Sequence, residues 1–194
     1  FPPGNPPLPD ALPAHTRHLS APYGDLVGPF VFPVARLDEL TAGAIELSLT
    51  LPGGPATLEP ALDRLAQIDG AKAVALEIAA PAEQTAAEFF AALDAAADLT
   101  SGCEVFVEVP RGERRADFLA ALVGGPFAAK FRTGGVVAEA YPDESELASA
   151  VRAAVTTGVP FKATAGLHHA VRNTDPHTGF EQHAVGHRRG PGRL

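Results

Sequence analysis

Ala44-Ile-Glu-Leu-Ser-Leu-Thr-Leu51 alternates strictly between apolar and polar residues. In an extended chain Ile45, Leu47 and Leu49 share one face and Glu46, Ser48 and Thr50 the other, because successive side chains of a strand point to opposite sides. A parallel sheet sandwiched between two layers of helices is apolar on both faces. A single polar face argues instead for a sheet that curls, with helices outside and a polar hollow inside. Two more runs repeat the pattern. Over 71–79, Val74, Leu76 and Ile78 oppose Ala73, Ala75 and Glu77; over 103–109, Cys103, Val105, Val107 and Val109 oppose Glu104, Phe106 and Glu108.

Working outward, strands are expected at 26–33, 44–51, 71–79, 103–109, 128–134 and 161–167, with helices at 35–41, 58–68, 82–99, 114–123 and 144–157. Thr57 and Asp143 are the kind of residue that caps a helix start, and Gly158 the kind that closes a helix end. Alternating strands and helices joined by short links give parallel strands and right-handed crossovers. Six strands fall short of a (β/α)8 barrel, which takes about 250 residues. The chain has no methionine and begins Phe1-Pro-Pro-Gly4, which reads as the mouth-side end of a trimmed first strand, with 9–19 as its helix. On that count 26–33 is the second strand, 161–167 the seventh, and an eighth is expected after Phe180. The expected fold is thus α/β, TIM-barrel-like and incomplete, with an open parallel α/β sheet as the alternative. A single domain is expected over 1–182, and 183–194, rich in Gly, Arg and His, reads as a disordered or non-native tail.

Composition narrows the function. A hydrophobic content of 46% with 20% charged residues is that of a globular domain. A net charge of −8 and a pI near 5.3 argue against nucleic-acid binding, which needs clustered basic residues. The one cysteine, Cys103, excludes an internal disulfide and is expected to pack rather than react. No run approaches the ~18 apolar residues of a membrane span, so no membrane partner and a cytoplasmic location are expected, with homo-oligomerisation left open.

The chain carries only three lysines, and two lie in apolar, strand-like runs that end in matching turns: Lys130-Phe-Arg-Thr-Gly-Gly135 and Lys162-Ala-Thr-Ala-Gly-Leu167. An ammonium group withdrawn from water costs several kcal/mol unless it is paired. On the alternation, the polar face gathers Glu46 and Ser48, then Glu77, then Glu104 and Glu108, then Lys130 and Arg132, then Lys162 and Thr164. Ionisable groups at the C-terminal ends of adjacent barrel strands converge where barrel enzymes work. Like charges on neighbouring strands favour proton release from one amine, which leaves a nucleophile for a carbonyl, with Glu77 or Glu108 as proton carrier. The competing reading is a set of buried ion pairs that hold strand register.

The two lysine motifs resemble the sixth and seventh strands of class I aldolases of the deoxyribose-phosphate aldolase type. There a Lys-Thr-Ser-Thr-Gly strand bears the Schiff-base lysine and a Lys-Pro-Ala-Gly-Gly strand a second lysine that tunes it. The resemblance spans about 71–169. It implies a TIM barrel in which Lys130 forms the iminium, Lys162 perturbs it and Glu77 stands near the acidic proton shuttle, with no cofactor. The departures are Arg132 in place of a small residue, Glu for Asp on the fourth strand, and no counterpart of the family's last-strand phosphate loop. The chain also resembles a bacterial protein group of unassigned activity that carries the same Phe-Arg-Thr-Gly-Gly and Phe-Lys-Ala-Thr-Ala-Gly-Leu-His-His strings.

Thr133, Gly134 and Gly135, with Thr164 and Gly166, end two strands in turns of the kind that bring backbone N–H groups to an anion, and Arg132 can grip a carboxylate or phosphate. A small anionic molecule is therefore the expected partner, with His168 donating at the mouth and His169 beside it. The expected reaction is a carbon–carbon lyase step through a lysine imine. The alternatives are a non-catalytic anion-binding barrel, or a metal-dependent hydrolase or lyase using 168–183, where His168, His169, His177, His183, Asp175 and Glu181 lie.

Overall fold

The alternation of strand-like and helical segments folds as expected into one parallel α/β sheet with helices. The computed structural model describes residues 6–41, 43–135, 137–166, 173–174, 176 and 179–182. In chain order the elements are α1 (Leu8–Leu19), β1 (Phe30–Pro33), β2 (Ile45–Leu51), α2 (Leu58–Leu65), β3 (Ala71–Ala79), α3 (Ala86–Ala95), α4 (Ala97–Thr100) and β4 (Glu104–Glu108). They continue with α5 (Arg115–Leu122), β5 (Ala128–Arg132), α6 (Glu144–Thr157), β6 (Phe161–Thr164), β7 (Asn173–Thr174) and β8 (Glu181–Gln182).

Local chemistry explains the boundaries. The helix expected from residue 82 starts at Ala86, because Thr85 Oγ1 accepts from the Glu88 amide while Glu88 returns a bond to the Thr85 amide. Asp143 caps α6 by accepting from the Glu146 amide at 2.7 Å, and Gly158 ends it with φ 70°. Thr57 does not cap α2; its hydroxyl donates to Gly54 O instead. The helix expected at 35–41 is a 3₁₀ helix over Val34–Glu39. Three residues per turn stack Arg36 over Glu39, and they bond side chain to side chain at 2.6 and 2.8 Å.

Strands β1 to β6 lie in the sheet in the order in which they occur in the chain, every pair parallel. Right-handed crossovers that always step in one direction return on the same side of the sheet. The helices therefore gather on one face and the sheet curls away from them as a half-barrel. The core lies between the two layers: Leu47, Leu49, Leu76, Ile78, Val107 and Phe131 from the strands meet Leu58, Leu65, Phe89, Phe118, Leu122 and Ala154 from the helices. A separate small cluster, Ala75, Phe106 and Ala128, lies on the opposite, concave face. The strand that follows Phe180, β8, pairs antiparallel with β7 and stands apart from the main sheet.

One irregularity sets the register of the concave face. Leu47 pairs with Ala73 but Ser48 with Ala75, so Val74 is skipped. Ala71 and Ala73 therefore pack into the helix-side core, and the inward alternation expected from Ala73 holds only from Ala75 onward. No helix among the described residues is long and apolar enough to cross a membrane. His168, His169 and 183–194 lie outside the described residues.

Candidate active site

The concave face presents two rows of side chains. Pairing across β3, β4 and β5 aligns Glu77, Phe106 and Ala128 in the deeper row. Glu108, Lys130 and Lys162 align in the next row toward the mouth, and Arg132 and Thr164 pair above it. Small side chains at Ala75 and Ala128 leave room for the two amines to reach down between the rows.

Both amines end on one carboxylate. Lys130 Nζ lies 2.8 Å from Glu77 Oε2 and 2.7 Å from Glu108 Oε2, and Lys162 Nζ donates to Glu77 Oε1 at 2.9 Å. Ser48 Oγ donates to the same Oε1 at 2.8 Å. The Lys162 ammonium also sits 3.5 Å from the centre of the Phe106 ring, a cation–π contact. Arg132 Nη1 stands 3.7 Å from Glu108 Oε1, and its Nε donates to Gly134 O. Glu77 and Lys130 are buried, Glu108 and Lys162 half-buried, and Arg132 exposed. Within this cluster, among the described residues, three cations face two carboxylates, leaving one positive charge in excess. Burial by itself pushes the Glu77 carboxyl up, but the charge of Lys130, the hydrogen bonds from Lys130 and Lys162, and the charge of Lys162 together outweigh it and hold the group below the usual carboxylate range.

The two strand exits are tied to each other. The Thr133 amide donates to Thr164 O at 2.8 Å and its hydroxyl to the same oxygen at 3.0 Å, so both donors are engaged within the protein. A Cβ at Gly134 would stand 2.1 Å from Ala165 O, and one at Gly166 would stand 2.6 Å from Thr133 O. Close approach of the two turns is the reason for both glycines. Gly135 borders the Arg132 guanidinium, its virtual Cβ 3.4 Å from Nη2. Ala165 holds φ 64° in the turn after Thr164, a left-handed conformation that costs an alanine about 1 kcal/mol or more. Thr164 Oγ1 is buried with no hydrogen-bond partner among the described residues.

Of the residues expected at the site, Lys130, Lys162, Glu77, Glu108 and Arg132 come together, and Thr164 lies beside them. His168 and His169 lie outside the described residues, as does most of the segment considered for a metal. Among the described residues no three His, Cys, Asp or Glu side chains gather in a way that could hold a metal ion. Cys103 is half-buried and its Sγ donates to Ala73 O at 3.4 Å; burial pushes the thiol up, against a smaller downward pull from Lys72, as befits a packing residue.

Two members of the cluster, Ser48 and Phe106, were not among the expected site residues. Each had a signal in the sequence. Ser48 is a short polar residue in mid-strand on the inward face, and Phe106 a lone large ring between two inward glutamates, suited to lie under an ammonium group. No family model, curated protein or solved structure matches the chain.

Proposed function

We propose that this chain is part of a (β/α)8-type barrel and an aldolase-like lyase, one that makes or breaks a carbon–carbon bond of a small anionic carbonyl compound through a lysine imine, in the cytoplasm. The observation that carries the reading is the convergence of Lys130 and Lys162 on the two oxygens of one buried carboxylate. An ammonium becomes a nucleophile only after giving up a proton, and Glu77 and Glu108 lie within 2.9 Å of the donors. The neutral amine adds to the carbonyl carbon, and the carbonyl oxygen leaves as water. Of the three ammonium hydrogens, one remains on the iminium and two depart in that water. The Cα–Cβ bond then breaks, its electron pair forming the enamine double bond as the C=N pair moves to nitrogen, while a carboxylate accepts the proton of the β-hydroxyl group and the β carbon leaves as a carbonyl. Protonation of the resulting enamine and hydrolysis return the lysine. Arg132, exposed at the mouth, and the excess positive charge suit an anionic substrate.

The test is borohydride reduction in the presence of glyoxylate, pyruvate and glyceraldehyde 3-phosphate in turn, with intact-mass analysis. One stable adduct per chain with at least one carbonyl compound, absent without borohydride and absent when both Lys130 and Lys162 are replaced by Arg, is expected. No adduct with any of the three overturns the reading.

A second reading, a non-catalytic anion-binding barrel, draws support from the way both amines are already bonded to carboxylates. It predicts that phosphate or a small carboxylate raises the melting temperature without turnover, and that Arg132→Ala abolishes the shift.

A further inference from the structure

We infer that Lys162, and not Lys130, is the amine that captures the carbonyl compound, with Lys130 as a fixed countercharge; the inference rests on the lysine-imine reading above and departs from the roles that the aldolase resemblance implies. Access separates the two amines first. The Lys162 side chain is 28% exposed and that of Lys130 7%. A carbonyl carbon must reach the nitrogen along a line free of other atoms, and of the two side chains among the described residues that of Lys162 is the less enclosed.

Partners separate them next. Lys130 Nζ is clamped between Glu77 Oε2 and Glu108 Oε2, at 2.8 and 2.7 Å. Turning it toward a substrate takes a partner from two carboxylates at once: Glu77 Oε2 loses its ammonium, and Glu108 keeps, among the described residues, only the looser Arg132 contact at 3.7 Å, a heavier loss of pairing in a buried cluster than the departure of Lys162 causes. Among the described residues Lys162 has one carboxylate partner, Glu77 Oε1. When Lys162 turns away, Glu77 keeps Ser48 on Oε1 and Lys130 on Oε2, so the carboxylate stays satisfied.

The surroundings of Lys162 also suit each state of the reaction. Its ammonium has a proton acceptor in Glu77 Oε1, 2.9 Å away. The iminium that forms is again a cation, and the face of Phe106, 3.5 Å from Nζ, stabilises a cation of either kind. Thr164 lies two residues along β6 on the same face, with a buried hydroxyl that has no partner among the described residues, and Arg132 pairs with Thr164 across the strands. An anionic group on the captured compound, extending toward the mouth from the reacting nitrogen, thus runs into the row that holds Arg132 and Thr164. Bond making follows the balance given above: the proton passes from Lys162 to Glu77, the C–N bond forms, and the carbonyl oxygen leaves as water with that proton and one more from the nitrogen.

Only Lys72, Lys130 and Lys162 can carry a side-chain adduct, so peptide mapping decides the matter. The wild-type protein is incubated with pyruvate or glyoxylate, reduced with borohydride, digested and mapped. Label on Lys162 is expected, well above that on the exposed Lys72, falling to the Lys72 background in Lys162→Arg and persisting in Lys130→Arg. Label on Lys130 in the wild-type chain overturns this assignment and leaves the imine reading standing. Label on neither removes both. The wild-type map alone separates the three outcomes, so the test does not depend on either variant folding.

Discussion

Glu77 holds a position that few carboxylates occupy: it is buried, and each of its oxygens is bonded to an ammonium group, with Ser48 as a third donor. Removing one partner from a buried ionic cluster leaves charges with nothing to balance them. Glu77→Gln removes the negative charge that both ammonium groups share and sets an amide NH2 against one of them, and should cost about 3–5 kcal/mol of stability by urea unfolding at neutral pH. Ser48→Ala removes one neutral donor from an oxygen that keeps Lys162, so a loss of about 1 kcal/mol is expected. Equal losses in the two variants would show that the carboxylate charge is not what the cluster depends on. At this scale the site was largely readable. The period of two along 44–51, 71–79 and 103–109 put Ser48, Glu77 and Glu108 on one face, and the scarcity of lysine singled out Lys130 and Lys162. What alternation does not encode is how far a side chain reaches. That both amines lean down one row to the same carboxylate follows from side-chain length and from the small Ala75 and Ala128 beneath them.

The exits of β5 and β6 act as one unit, since the Thr133 amide and hydroxyl both bond Thr164 O and the adjoining glycines permit the contact. Gly134→Ala sets a methyl group 2.1 Å from Ala165 O, a backbone atom that cannot rotate away. The turns must separate, at about 1–3 kcal/mol of stability on the scale of overpacking. At Gly135 the added methyl meets Ala140 Cβ at 2.7 Å and the end of the Arg132 side chain, which can swing. Gly135→Ala should therefore lower the melting temperature less than Gly134→Ala, and the reverse order would mean that the two turns do not pack as described. The glycines were legible as turn residues, but their cause was not, because a close approach between two loops is a long-range contact. The same limit explains the 3₁₀ helix at Val34–Glu39, where spacing of three and spacing of four are hard to separate over six residues, and the skipped Val74, which interrupts an alternation that looks regular in the sequence.

At the scale of the whole molecule, the sequential strand order gives the sheet one apolar face and one charged face, and the charged face links stability to pH. Glu77 is held below the usual carboxylate range, with the lysine charges and hydrogen bonds outweighing burial. Glu146 is held down as well, first by the hydrogen bond from Arg111 and then, against burial, by that from Arg115; these contacts fasten the segment after β4 to the start of α6. A carboxyl held low in the folded chain binds a proton more weakly there than in the unfolded chain. Its contribution to stability is thus complete above the unfolded value and is lost as pH falls through the folded one. Urea midpoints should be level near neutrality and decline as pH drops through and below the ordinary carboxylate range. In Glu77→Gln the midpoint starts lower and declines less steeply, since one of the groups that must take up a proton is gone. An acid limb of unchanged slope in that variant would place the pH dependence elsewhere, in the other carboxyls held low, Glu146 with its two arginines, Glu39 with Arg36 and Glu88 with Thr85, and would reduce the inner cluster to a contact that leaves the proton balance of folding untouched.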